Sequence, residues 1–236
     1  MHLFCTSISL QKWQALLLFA GAGVGCAAPE PAQKRETLTQ IVVLDAPSNL
    51  GLRPPAPGKE PGVKKLAAAL RKTGLVERLG ASDAGLVEPP AYSPDPDPVV
   101  GFRNSGSLNR YSQALADRVA PLITKGNFVL VLGGDCSVLV GTGLATRSLG
   151  HYGLAFIDAH DDFSYPRQRS KYFGIFVGAG LDLGLATGHG PPQLANIRDQ
   201  SPYFQEKDVI QMVCRAQRKT PSTLKRRRST GPISNA

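Results

Sequence analysis

Three residues with metal-ligating side chains follow one apolar run of the chain. Asp158, His160 and Asp162 come directly after residues 153–157, which have the pattern of a buried strand. In an extended chain alternate side chains share a face, so these three are expected to point the same way. Two carboxylates and an imidazole suit a divalent cation such as Mn²⁺ or Zn²⁺. The pattern predicts a metal site, with a polar turn and a hydrogen-bonded histidine as the alternative.

A second apolar run ends in polar residues in the same way. Residues 128–137 form a strand pattern that is broken by two glycines and followed by Asp135 and Cys136. Ligands of open parallel sheets collect where strands end at their carboxyl edge. If the two strands are adjacent, Asp135 and Cys136 meet residues 158–162 at that edge. Cys136 is then either a thiolate ligand or a small buried side chain.

The two segments, in this order, resemble the arginase/agmatinase/formiminoglutamase (ureohydrolase) family. The family patterns are GGDHS and DAHxD, and the chain has Gly133-Gly-Asp-Cys-Ser137 and Asp158-Ala-His-Asp-Asp162. The resemblance covers roughly residues 40–215. It implies a three-layer α/β/α fold with a mostly parallel sheet, of which the C-terminal part is missing here. It also implies a pair of Mn²⁺ ions bridged by a hydroxide that attacks a guanidinium-type carbon.

The resemblance also implies a role for each matching residue. Asp158, His160 and Asp162 fall on metal-ligand positions, and catalysis runs through a hydroxide bound to that metal. Cys136 stands where the family has a ligating histidine, which makes it a further candidate ligand. Its thiolate favours Zn²⁺ or Fe²⁺ over Mn²⁺. Asp135 occupies the acidic position of the first motif and either orients a ligand or joins the site.

The chain departs from the family at two places. The SxDxDxxDP motif, which supplies two more carboxylates, does not occur after residue 163, and residues 166–180 lack the histidine of the family's substrate loop. His189 matches no family position. Two functions therefore stay open: a metal-dependent hydrolase of a linear C–N bond in a small guanidino or amidine compound, or a non-catalytic fragment that binds metal at most. Relatives often form oligomers, which implies a homo-oligomer.

Charge and length limit the alternatives. The 236 residues, 42% of them hydrophobic, are enough for one substantial core, so one domain is expected over residues 38–214. Residues 215–236 hold seven Lys and Arg and no acid, and subtracting them from the net charge of +9 leaves +2. We therefore expect a disordered basic tail and no nucleic-acid partner. A reading-frame change or a truncated gene is a further hypothesis for this tail.

The first residues have the composition of a leader. An apolar stretch at residues 13–25 precedes Cys26 and is too short for a stable membrane span. Residues 1–28 are interpreted as a signal-like segment of an exported protein, or as the product of a misassigned start codon upstream of a cytoplasmic one.

The candidate ligands lie in a region where strand and helix patterns alternate along the sequence. A parallel sheet with helices on both faces is expected from that alternation. Residues 82–98 are rich in proline and are interpreted as a surface loop. The N-terminus of the helix after residue 137 is expected to favour a thiolate at Cys136. The predicted strands are 40–45, 128–133, 153–158 and 209–213, and the predicted helices are 63–70, 107–125 and 137–149.

Overall fold

Strands and helices alternate along the chain as expected. The computed structural model describes residues 40–98, 101–160, 162–163 and 178–213. Within these ranges the strands are β1 (Ile41–Ala46), β2 (Ser82–Leu86), β3 (Phe128–Gly133), β4 (Leu154–Asp158) and β5 (Val209–Val213). The α-helices are α1 (Leu66–Arg71), α2 (Leu75–Arg78), α3 (Ser105–Thr124), α4 (Val138–Leu149), α5 (Asp182–Ala186) and α6 (Pro192–Ala195).

All strand pairs in the described residues are parallel. β1 lies between β2 and β3, with Val42 opposite Val129, and β4 pairs with β5, with Leu154 opposite Val209. Residues 42–46 of β1 are buried without a break. Strands covered on both faces read as continuous apolar runs, and this is why the pattern of residues 128–133 predicted its strand correctly.

Helix α4 is the central helix of the fold. Residues 138–146 are buried on every side, between α3 and the segment that carries Phe204. A Cβ on Gly141 would lie 3.0 Å from Leu115, and one on Gly143 would lie 3.0 Å from Phe204. These glycines therefore let α3 and the segment that carries Phe204 pack closely against α4. This packing holds in place the helix that begins just after Cys136.

Two sequence expectations are corrected by the structure. Residues 82–98 are not all loop, because Ser82–Leu86 forms β2 at the edge of the sheet. This strand is largely exposed and lacks an apolar run, so the pattern gave no signal for it. Among the residues described, β3 and β4 are also not adjacent but belong to separate sheets.

Several expectations fall on other parts of the chain. The signal-like segment at residues 1–28, most of the substrate-loop region at 166–180 and the basic tail at 215–236 lie outside the described residues. Of the helices in the described ranges, none has both the length and the apolar character that crossing a membrane requires.

Candidate metal centre

Side chains from the ends of two strands meet at one point. Donor atoms of Cys136, which follows β3, and of Asp158 and Asp162, at and after the end of β4, all lie within 4.8 Å of one another. Asp158 is 8% and Asp162 is 7% exposed. Cys136 Sγ lies 4.0 Å from Asp158 Oδ2. The strand ends thus form a buried cluster even though β3 and β4 are not paired.

Asp162 reaches the cluster by a bend rather than by an extended chain. β4 ends at Asp158, residues 159–160 bend, and Asp162 has a φ of +44°. Asp tolerates this left-handed conformation better than most residues. The expectation that alternation along a strand places the three side chains on one face was therefore wrong in its reason, although two of the three do meet.

His160 lies on the outer side of this bend. Its backbone amide donates to Asp158 Oδ1 at 2.8 Å, and its ring Nδ1 lies 3.5 Å from the same oxygen. The imidazole is 74% exposed. In the described part of the chain, the residues whose donor atoms lie within 4.8 Å of one another are Cys136, Asp158 and Asp162. His160 therefore lies beside this cluster rather than in it.

Asp135 holds the turn that presents Cys136. One carboxylate oxygen accepts the amide of Ser137 at 2.8 Å, and the other accepts the amide of Gly51 at 3.1 Å and the hydroxyl of Ser48 at 3.3 Å. Asp135 is 4% exposed. That Asp135 orients a ligand stays a prediction, and these hydrogen bonds are the contacts through which it would act.

Glycines allow the two loops to touch. A Cβ on Gly134 would lie 1.7 Å from the carbonyl oxygen of Ser48, and one on Gly51 would lie 2.4 Å from Asp135 Oδ1. No side chain fits at either distance. The glycines at these positions are therefore required for the close approach of residues 48–51 to residues 133–137.

A further carboxylate, Asp182, adjoins the cluster and was missed in the sequence. It is 0% exposed at the start of α5, and its carboxylate contacts that of Asp162. Burial raises the pKa of Asp182 well above its usual value, and Asp162 and Asp158 raise it further, while its own backbone amide lowers it. An acid within the otherwise uncharged run 178–188 was the available signal.

The thiol of Cys136 sits in a negative field. Burial raises its pKa, followed by the charges of the nearby carboxylates, which in order of effect are Asp182, Asp162, Asp158 and Asp135. The expectation that the N-terminus of α4 favours a thiolate was therefore wrong for the protein without a cation. The partial charge of a helix end is smaller than that of several carboxylates at short range.

These donors fit a divalent cation. The groups that act on Asp182 in the described part of the chain are carboxylates and its own amide, with no Lys or Arg among them. A cation stabilises buried carboxylates and promotes loss of the thiol proton. Carboxylate oxygens suit Mn²⁺, and a thiolate suits Zn²⁺ or Fe²⁺.

His189 lies near the cluster without joining it. Its ring stacks edge-on against Phe163 with the centroids 5.0 Å apart, and Phe163 directly follows Asp162. His189 Nε2 lies 2.6 Å from Glu206 Oε1. The packing supports the backbone near Asp162, and the imidazole is held by an acid.

Comparison with known proteins gives matches to one family. The model of the arginase family matches residues 39–220. The chain is 31% identical over 165 residues to an arginase of Staphylococcus aureus (strain COL), covering 66% of this chain and 51% of that one. It is 32% identical over 156 residues to human arginase-1, covering 63% and 48%.

Solved structures show the same likeness. An arginase from Bacillus caldovelox superposes with a TM-score of 0.62 at 25% identity, covering 73% of this chain and 56% of that one. The arginase-like α/β fold predicted from the two motifs is thereby confirmed. The chain spans about half the length of the relatives it matches.

Proposed function

The chain belongs to the arginase family, and on that premise we propose that the cluster of Cys136, Asp158 and Asp162 binds a divalent cation for hydrolysis. The reaction is cleavage of a linear C–N bond in a small guanidino or amidine compound. One observation carries the proposal: three donor side chains from two strand ends lie within 4.8 Å of one another.

Each residue has a proposed task in this reaction. A bound divalent cation supplies Lewis-acid activation of water and of the substrate. Asp158 and Asp162 hold the cation with hard oxygen donors, and Cys136 adds a sulfur. His160 stays a proposed ligand because its ring nitrogen lies 3.5 Å from Asp158 Oδ1, so a cation on that side of the carboxylate has an imidazole nearby.

Asp135 and the packing around the cluster hold the proposed ligands in position. The hydrogen bonds of Asp135 hold the turn that contains Cys136 in one conformation. The sulfur is therefore already positioned before the cation binds. The burial of Asp158 and Asp162 limits water access, which strengthens their attraction for a cation.

The cation and the substrate are proposed on different grounds. Mn²⁺ is the ion that the family resemblance implies, whereas Cys136 favours Zn²⁺ or Fe²⁺. The relatives that match are named arginases, which supports a guanidino compound as the substrate class. We expect a homo-oligomer on the same family grounds.

A second candidate function is metal binding without turnover. The described cluster offers three donor residues, which are enough for one ion but few for the two-ion site of the family. This observation favours an arginase-like protein that holds one cation and lacks hydrolytic activity.

The test combines metal loading with a substrate screen. The full chain is loaded with Mn²⁺ or Zn²⁺, and release of urea or its analogue from guanidino compounds is measured beside Asp162→Asn and the matched control Asp208→Asn. Asp208 lies next to β5 at the end away from the cluster. Metal-dependent release that D162N loses and D208N retains is expected. Uptake without release supports the second candidate, and no uptake contradicts both.

A further inference from the structure

Asp182 is a buried acid whose own backbone amide is the one group that lowers its pKa in the described structure. It is 0% exposed, and neither of its carboxylate oxygens accepts a hydrogen bond from another described residue. Burying an ionised carboxylate is costly unless donors or a cation offset the loss of water. Other buried acids near the cluster have such donors: Asp135 accepts three hydrogen bonds and Asp158 accepts the amide of His160.

The surroundings of Asp182 add negative charge. Its carboxylate contacts that of Asp162, and Asp158 also acts on it. Of the four carboxylates that influence Cys136, Asp182 has the largest effect. Asp182 therefore adjoins the cluster through Asp162, although in the described residues it is not one of the three whose donor atoms all lie within 4.8 Å of one another.

Packing holds Asp182 in this place. The residues of α5 are buried throughout, and the amide of Gly184 donates to the carbonyl oxygen of Asp162 at 3.2 Å. A Cβ on Gly184 would lie 3.4 Å from the carbonyl oxygen of Phe163. The short helix is therefore seated directly on the segment that carries Asp162, so its acid cannot turn towards water.

We propose that Asp182 is a fourth donor of the cation site, joining Cys136, Asp158 and Asp162. Four donors from one thiol and three carboxylates match the coordination number of a Zn²⁺ site and offer three hard oxygens to Mn²⁺. The cation cancels two of the three carboxylate charges that the fold brings together. This inference rests on the proposed function, because it assigns one more ligand to the same site.

The rival explanation is a proton shared between Asp162 and Asp182. In that arrangement the two acids form a hydrogen-bonded pair, and Asp182 contributes nothing to cation affinity. The two explanations differ in what loss of the Asp182 charge does to metal binding.

The experiment compares Asp182→Asn with the unsubstituted full chain and with Asp208→Asn as the matched control. Equilibrium dialysis against Zn²⁺ and against Mn²⁺, with elemental analysis, gives dissociation constants. Melting temperatures are measured in chelator and in excess metal. We expect D182N to weaken binding at least about tenfold. In chelator its melting temperature should equal or exceed that of the unsubstituted chain, because the amide relieves repulsion and donates to Asp162.

Each other outcome overturns the inference. Unchanged dissociation constants in D182N assign the Asp162–Asp182 contact to a shared proton. A lower melting temperature in chelator together with weaker binding assigns Asp182 a structural role. If the unsubstituted chain takes up no metal, the proposed function fails as well. If D182N and the unsubstituted chain bind metal equally, only the inference about Asp182 fails and the proposed function stands. Asp182→Ser serves the same comparison if D182N does not fold.

Discussion

The carboxylate of Asp135 accepts a hydrogen bond from the backbone amide of Gly51 at 3.1 Å. This bond joins the loop after β1 to the loop after β3. The same carboxylate accepts the amide of Ser137 at 2.8 Å, and this hydrogen bond joins the two residues that flank Cys136 in the sequence. The position of the sulfur therefore depends on an acid that does not itself belong to the cluster.

Replacement of Asp135 by Asn should disturb this junction. An amide has one accepting oxygen, so one of the two amide donors is left unsatisfied in a buried place, at about 1–3 kcal/mol. We expect D135N to lower the free energy of unfolding by that amount in urea denaturation and to weaken Zn²⁺ binding. The exposed Asp95 gives the control D95N. Equal stability of D135N and the unsubstituted chain would contradict the assigned role.

Replacement of Gly134 by Ala should destabilise the folded protein more than the addition of one methyl group usually does. The added Cβ would lie 1.7 Å from the carbonyl oxygen of Ser48, so the loops must separate. We expect a loss of about 1–3 kcal/mol in the free energy of unfolding, as for overpacked cores. Gly62→Ala is the control, because no atom lies within 4 Å of its added Cβ. Similar melting curves for the two variants would rule out the close approach.

Cys136→Ser should change the preference between metals. A hydroxyl is a poor substitute for a thiolate toward a soft or borderline ion, whereas the carboxylates that suit Mn²⁺ remain. We expect Zn²⁺ affinity to fall by a larger factor than Mn²⁺ affinity when the two are titrated against a competing chelator. A parallel loss of both affinities would indicate that the sulfur acts only through packing.

An ion pair outside the cluster, between Arg198 and Asp117, has a predictable pH dependence. Arg198 donates to both carboxylate oxygens of Asp117 at 2.7 and 2.8 Å, and these hydrogen bonds, followed by its charge, hold the pKa of Asp117 below the usual 3.8. A lowered pKa stabilises the folded state above pH 3.8, and this contribution is lost as the pH falls through the lowered value.

Arg198→Ala should therefore reduce stability only modestly. Both side chains are more than one third exposed, so we expect a loss below about 1 kcal/mol near pH 7 that shrinks in high salt. Denaturant unfolding at pH 7 and below pH 3 measures the difference, with Arg110→Ala on the exposed face of α3 as control. A loss that persists at the lower pH would attribute the effect to packing.

Sequence patterns predicted those parts of the fold that follow from local periodicity. The apolar runs at residues 128–133 and 154–157 and the helical spacing of α3 each indicated the observed element. β2 escaped because Ser82–Leu86 is an exposed edge strand whose residues carry no periodic signal. Its pairing with β1 is a tertiary contact that no local pattern contains.

The candidate site was predictable only where motif and strand end coincide. Cys136, Asp158 and Asp162 meet at the strand ends, and their roles as ligands stay a prediction. The bend after Asp158 turns His160 outward, and strand alternation could not reveal that bend. Asp182 was missed because it matches no family motif, and its contact with Asp162 is a tertiary one that an isolated acid in an apolar run does not reveal.

The number of metal ions bound per chain reports on the site formed by Cys136, Asp158 and Asp162. The full chain and the variants Asp158→Asn and Asp162→Asn are loaded with Mn²⁺ and separately with Zn²⁺, freed of excess ion by gel filtration and assayed by elemental analysis. We expect about one ion per unsubstituted chain and little in either variant. Metal content that is the same in all three proteins, or absent from the unsubstituted chain, would contradict a cation site at the ends of β3 and β4.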